Sequence, residues 1–192
     1  YDEADRKLSE TLANPAGSGE QIRRWEYDAA GRIEATIDAT GGRRAQTLDA
    51  NGNVLTQRDA RGNPTEFTYD SRNRVLTRSG PETGQIITYG YDLNGNVVEE
   101  TWGNGRVITR SYDLLDRLED SQDGDGVFEK LSWTSDGLVA TRRDGNNHLT
   151  TNHYDDLHRL TSQDLPAIDG SARETSQSWT IHGDLESATD AN

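Results

Sequence analysis

Apolar and aromatic residues recur along this chain in short bursts, and Gly, Asn or Asp interrupts them about every ten positions. An amphipathic helix needs apolar residues at three- and four-residue spacing over ten or more positions, so these interruptions exclude helix. They predict strands of about five to seven residues joined by tight turns. Aligning the residue that precedes every second turn gives the anchors Tyr1, Tyr27, Leu48, Tyr69, Tyr91, Tyr112, Trp133, Tyr154 and Trp179, at intervals of 26, 21, 21, 22, 21, 21, 21 and 25. A fixed period of this size marks a repeat architecture in which each unit completes its neighbour's burial. Residues 1–192 are therefore expected to form a single array of about nine units. The expected fold is all-β: tandem hairpins of about 21 residues building one long, twisted, curved antiparallel sheet.

Each unit repeats the same turn chemistry. The anchor is followed by Asp at Asp2, Asp28, Asp49, Asp70, Asp92, Asp113 and Asp155. Four residues after the anchor stands Gly31, Gly52, Gly95, Gly137 or Gly183, or else Asp5, Asn73, Asp116 or His158, residue types that accept a left-handed backbone. Arg follows at Arg6, Arg32, Arg74, Arg117 and Arg159, placed to offer its planar fork to an Asp of its own or the next unit. The chain then turns apolar from Ile33, Val54, Val75, Val97, Leu118, Val139, Leu160 or Leu185; in the first unit Lys7 holds this place and obscures the register. Anchor rings are expected to stack on those of adjacent hairpins, and each Asp to accept N–H groups of the turn it begins. A catalytic constellation is needed once, whereas these residues are copied along the chain, so they read as scaffolding.

Composition alone points elsewhere. The chain is 31% hydrophobic with a formal net charge of -14, values that suggest disorder. A thin repeated sheet needs apolar residues only at its contact positions, and the periodicity takes precedence. Arg scattered among Asp and Glu forms no basic stripe, which argues against nucleic acid as a partner. No apolar run approaches the roughly 18 residues of a membrane span. The chain has no Cys, which removes disulfides and thiolate metal sites.

The segments YDAAGRIEATIDATG, LDANGNVLTQRDARGNPTEFTYDSRNRVLT and YDLNGNVVEE resemble the YD repeats of bacterial Rhs proteins, found also in insecticidal toxin complexes, wall-associated polymorphic toxins and animal teneurins. The resemblance covers essentially the whole chain. It implies a β-sheet strip that spirals into a hollow shell, enclosing a C-terminal toxic polypeptide in many bacterial members. On that footing the chain is expected to be a non-catalytic wall segment of a larger bacterial protein that is secreted, exported or on the cell surface. Its implied partners are the rest of the shell and an enclosed toxin. The chain lacks the Asp-Pro-rich protease motif, the toxin domain and a plug, so self-cleavage and toxicity are not expected of it. Unpaired terminal strands would favour edge-to-edge self-association.

Other readings compete with scaffolding. In EDSQDGDGVFEK, residues 119–130, Asp120, Asp123 and Asp125 are calcium candidates. The EF-hand spacing is not met, because Ser121 and Ser132 fall where acidic ligands belong, and an Asp-rich hairpin turn explains the segment without metal. His148, His153, His158 and His182 fall at turns or strand ends and read as exposed. No Ser nucleophile elbow, Gly-rich phosphate loop or Cys nucleophile appears, so neither enzymatic activity nor a cofactor is expected. The alternative function is a carbohydrate-binding or adhesion module in which Trp25, Trp102, Trp133 or Trp179 stacks on a glycan. A β-propeller would need two-unit alternation, which the anchors lack. The two long intervals place loop insertions near residues 14–21 and 165–174, both in the turn preceding the next anchor.

Overall fold

A computed structural model describes residues 1–12, 21–82, 84–124, 126–168 and 170–190. Seventeen strands and no helix are present among them, so no helix is long and apolar enough to cross a membrane. The chain falls into two compact units, Tyr1–Gly90 with Thr101–Gly105, and Tyr91–Glu100 with Arg106–Asn192. The early strands are β1 (Ser9–Leu12), β2 (Gln21–Tyr27), β3 (Ile33–Ile37), β4 (Arg43–Leu48), β5 (Val54–Arg58), β6 (Pro64–Tyr69), β7 (Val75–Ser79), β8 (Ile86–Tyr91) and β9 (Val97–Trp102). The later strands are β10 (Val107–Tyr112), β11 (Leu118–Asp123), β12 (Gly126–Trp133), β13 (Val139–Asp144), β14 (Leu149–Tyr154), β15 (Leu160–Ile168), β16 (Ser171–Trp179) and β17 (Leu185–Thr189). Within the first unit each strand from β1 to β8 pairs antiparallel with the next, and within the second so does each from β10 to β17.

The anchors close the even-numbered strands: Tyr27, Leu48, Tyr69, Tyr91, Tyr112, Trp133, Tyr154 and Trp179 are each the last residue of one. At Tyr27, Leu48, Tyr69, Tyr112, Trp133, Tyr154 and Trp179 the pairing register shifts immediately before the anchor. Thr68 faces Thr77 while Tyr69 faces Val75, which leaves Leu76 without a partner residue across the ladder. A β-bulge of this kind re-aims the side chains beside it and increases local twist. The β3–β4, β5–β6, β7–β8 and β13–β14 pairings at the opposite rim run without a shift. Pro64 is tolerated because it opens its strand.

All nine turn positions that follow the anchors by four have positive φ, including the non-glycines Asp5, Asn73, Asp116 and His158 at φ 59 to 63°. Two sequence expectations need correction. The extra residues near 165–174 are mostly taken up as strand rather than as a loop: β15 and β16 each reach nine residues, because their alternating side chains continue the ladder past the usual turn point. The insertion near 14–21 lies, except for Gln21, outside the described residues. The second, which concerns how the anchor rings pack, follows from the side-chain contacts of the anchor rim.

Little is buried. Among the described residues only Ala35, Ile87, Ile108 and Ser121 are classed as buried. The accessible surface is 13063 Å², against about 9,100 Å² for a globular monomer of this mass. A single sheet layer leaves apolar burial a minor contributor, so the turns and ladders must supply much of the order. Gly52 tests this directly, since φ is +93° and a Cβ there would meet nothing within 4 Å. Gly52→Ala is therefore expected to cost about 1–2 kcal/mol through backbone strain alone; urea denaturation showing no loss would contradict that assignment.

Candidate functional site

The repeated chemistry converges on the rim where the anchors lie. In the turn after Tyr27, Asp28 Oδ1 accepts the backbone N–H groups of Ala30 and Arg32, both at 2.9 Å, and Oδ2 accepts Arg32 Nε at 2.8 Å. Asp70, Asp113 and Asp155 repeat this with Arg74, Arg117 and Arg159. Where Arg is absent the geometry survives: Asn53 Nδ2 donates to Asp49 Oδ2 at 2.8 Å and Asn96 Nδ2 to Asp92 Oδ2 at 2.9 Å. After the two Trp anchors, Thr134 and Thr180 use their hydroxyls to accept the N–H groups of Leu138 and Asp184. The opposite rim reuses the device at Asp38, Asp59 and Asp144.

Six of the nine anchors then tie their hairpin to the one before. Tyr27 Oη donates to the Lys7 carbonyl (2.9 Å), Tyr69 to Val54 (2.8 Å), Tyr112 to Val97 (3.0 Å) and Tyr154 to Val139 (3.0 Å). Trp133 and Trp179 do the same through Nε1, to Leu118 at 2.9 Å and Leu160 at 2.8 Å. Every acceptor sits where the preceding unit restarts its strand, Lys7 included, which settles the register of the first unit.

Between successive anchors lies Arg, a correction to the expectation that anchor rings stack on one another. The Arg6, Arg117 and Arg159 guanidinium carbons lie 4.8, 5.3 and 5.8 Å from the ring centroids of Tyr27, Trp133 and Trp179. A cation over an aromatic face is held by the ring quadrupole, and the planar fork keeps its edge free for hydrogen bonds. Arg32, Arg117 and Arg159 spend that edge on the carbonyls of Asp49, Thr134 and Thr180 in the next turn. Each such Arg thus joins its own Asp to the following unit.

The electrostatics follow from these contacts. Asp28 and Asp70 are held below the ordinary Asp range chiefly by the backbone N–H groups of Arg32 and Arg74. Asp113 and Asp155 are held down chiefly by the side chains of Arg117 and Arg159, and Asp49 and Asp92 by those of Asn53 and Asn96.

The other candidates are dispersed. Asp123 meets Arg106 at 3.5 Å, and Asp120 Oδ2 lies 4.0 Å from Lys130 Nζ while its buried Oδ1 has no hydrogen-bond partner among the described residues. Asp125 lies outside the described residues, and no group of three metal-ligating side chains forms among those described. His148, His153 and His158 are exposed and face Asp144, Asp164 and Asp136 at 3.1, 2.9 and 3.6 Å. His182 is exposed at its turn. Sequence reasoning missed the bulges, the carbonyl acceptors and the Asn and Thr stand-ins; the substitution of Asn for Arg at the same offset was the one signal available.

Residues 49–85, from the Asp49 turn through β7 to the start of β8, match the RHS Repeat family. An RHS repeat lies at these residues. No curated protein matches its sequence. The fold of the chain is similar to the crystal structure of TcdB2-TccC3 without its hypervariable C-terminal region, at 14% identity and TM-score 0.54, over 95% of this chain and 14% of that one. TcdB2-TccC3 itself aligns at 14% identity and TM-score 0.54, over 94% of this chain and 15% of that one. A Photorhabdus luminescens Tc holotoxin pore carrying a TccC3 mutation aligns at 14% identity and TM-score 0.49, over 99% of this chain and 15% of that one. The chain thus spans about one seventh of the length of those chains.

Two outcomes are expected of the rim. Tyr69→Phe removes one donor and leaves the Val54 carbonyl unpaired, so it should lower stability by about 1 kcal/mol in urea titration; an unchanged midpoint would contradict the tie. The depressed Asp groups bind fewer protons folded than unfolded. The stability they contribute is complete above the unfolded Asp pKa of about 4 and is lost as pH falls through the lower folded values. Melting temperature should hold from pH 7 to about 5 and drop steeply below about 4; a flat profile down to pH 3 would refute the linkage.

Proposed function

We propose that this chain is a non-catalytic wall segment of an exported or cell-surface bacterial RHS shell that encloses or presents another polypeptide. One observation carries the reading: in unit after unit the anchor, Asp and Arg are spent on their own turn and on the adjoining hairpin. Such a sheet works by steric exclusion, because its backbone groups are consumed in continuous ladders and its side-chain ties lie between neighbours. The partners are the remainder of the parent shell and the enclosed polypeptide, a toxin in the reading drawn from the family. The glycan-strip alternative loses three of its four Trp residues: Trp133 and Trp179 are tied as anchors, and half-buried Trp25 lies under Lys7.

Limited proteolysis of the parent polypeptide tests containment. Its C-terminal region should resist trypsin at neutral pH, while the same region expressed alone is digested. At about pH 3, where the turn carboxylates are protonated and the wall opens, pepsin should digest the region as readily as the region alone. Digestion of the region by trypsin at equal rates, inside and outside the parent, would overturn the proposal.

A further inference from the structure

Among the units of 21 or 22 residues, the Asp turn of the opposite rim breaks at two neighbouring places. Asp38, Asp59, Asp123 and Asp144 each stand eleven residues after an anchor, but Gly80 and Trp102 occupy that position in their units. The chain folds differently there. Gly80 N–H donates to the Gln85 carbonyl at 2.6 Å, and Gly103 N–H to the Ile86 carbonyl at 2.7 Å. Gly103 packs so closely that an added Cβ would run into the Gly84 carbonyl. The result is a cavity of about 370 Å³ within the first unit, lined by Ile86, Ile87, Trp102, Arg78, Gln85 and Asn104 among others. That volume lies at the small-ligand end of the range for binding sites.

We propose that this cavity binds an acidic sugar, a pyranose bearing a carboxylate. Trp102 is the one exposed Trp among the described residues, whereas the other three are engaged in the sheet. Its ring offers a negative face to the polarised C–H groups of a pyranose, and Ile87, across the ladder from Arg78, extends the apolar wall. Arg78 supplies the planar fork that matches a carboxylate. It lies on β7 opposite Ile87 and lines the cavity. The acid beside the cavity, Glu82, accepts the Gln85 amide at 2.9 Å. Although the whole chain is at -14, residues 1–90 carry 14 Asp and Glu against 12 Lys and Arg, so this unit does not strongly repel an anion. The site stands independently of the shell reading.

Glucuronate is the probe and glucose the neutral control, read by Trp fluorescence and saturation-transfer NMR. Glucuronate should bind saturably with Kd of about 1 mM and glucose about tenfold more weakly. Trp102→Ala should abolish both, and Arg78→Gln should bring glucuronate down to the glucose level. Circular dichroism checks folding; if Trp102→Ala unfolds, the glucuronate-to-glucose ratio in Arg78→Gln decides alone. Absence of saturable binding, equal affinity for the two sugars in the unaltered chain, or binding that survives in folded Trp102→Ala would each overturn the site.

Discussion

A carboxylate that accepts two backbone N–H groups of its own turn is the constraint on which this structure depends. Asp28 Oδ1 closes the turn through Ala30 and Arg32, leaving Oδ2 to fix the Arg32 side chain. A fixed guanidinium can then lie over an aromatic ring or reach the carbonyl of the next turn, as Arg117 does with Trp133 and Thr134. The order runs from turn to side chain to neighbour. With only four buried residues among those described, such a sequence of local closures takes the place of a core.

Strand, period and turn position were legible because they are written in residue types with strong local preferences. Alternation marks strands, and Gly, Asn and Asp mark the φ > 0 sites, even at Asp5 and His158 where the residue is unusual. What stayed hidden was relational. The Tyr69 hydroxyl meets Val54, fifteen residues earlier, through a contact set by register, and register is shifted by a bulge that no residue type announces. Arg between the anchors was misjudged for a similar reason: its offset from Asp was visible, whereas its position over the next ring depends on the spacing of hairpins.

Departures from a repeat carry a different kind of information. Asn53 and Asn96 replace Arg yet keep the carboxylate contact and reach across to Asn73 and Asp116 in the following turns, so the sheet tolerates them. Gly80 and Trp102 also depart, but they change the backbone path and open a cavity. The first kind preserves the interlock by other chemistry, and the second leaves side chains directed to something outside the sheet. Separating the two needed coordinates, because both look like lapses in a pattern.

The central claim is that the exposed turns are closed by their own Asp carboxylates, and amide hydrogen exchange at neutral pH measures it most directly. The N–H groups of Arg32, Asn53, Arg74, Arg117 and Arg159 should be protected about as well as the adjoining strand amides, although they lie at the turns of the sheet. Exchange of these amides at the rate of an unstructured peptide, while the strands remain protected, would contradict the account.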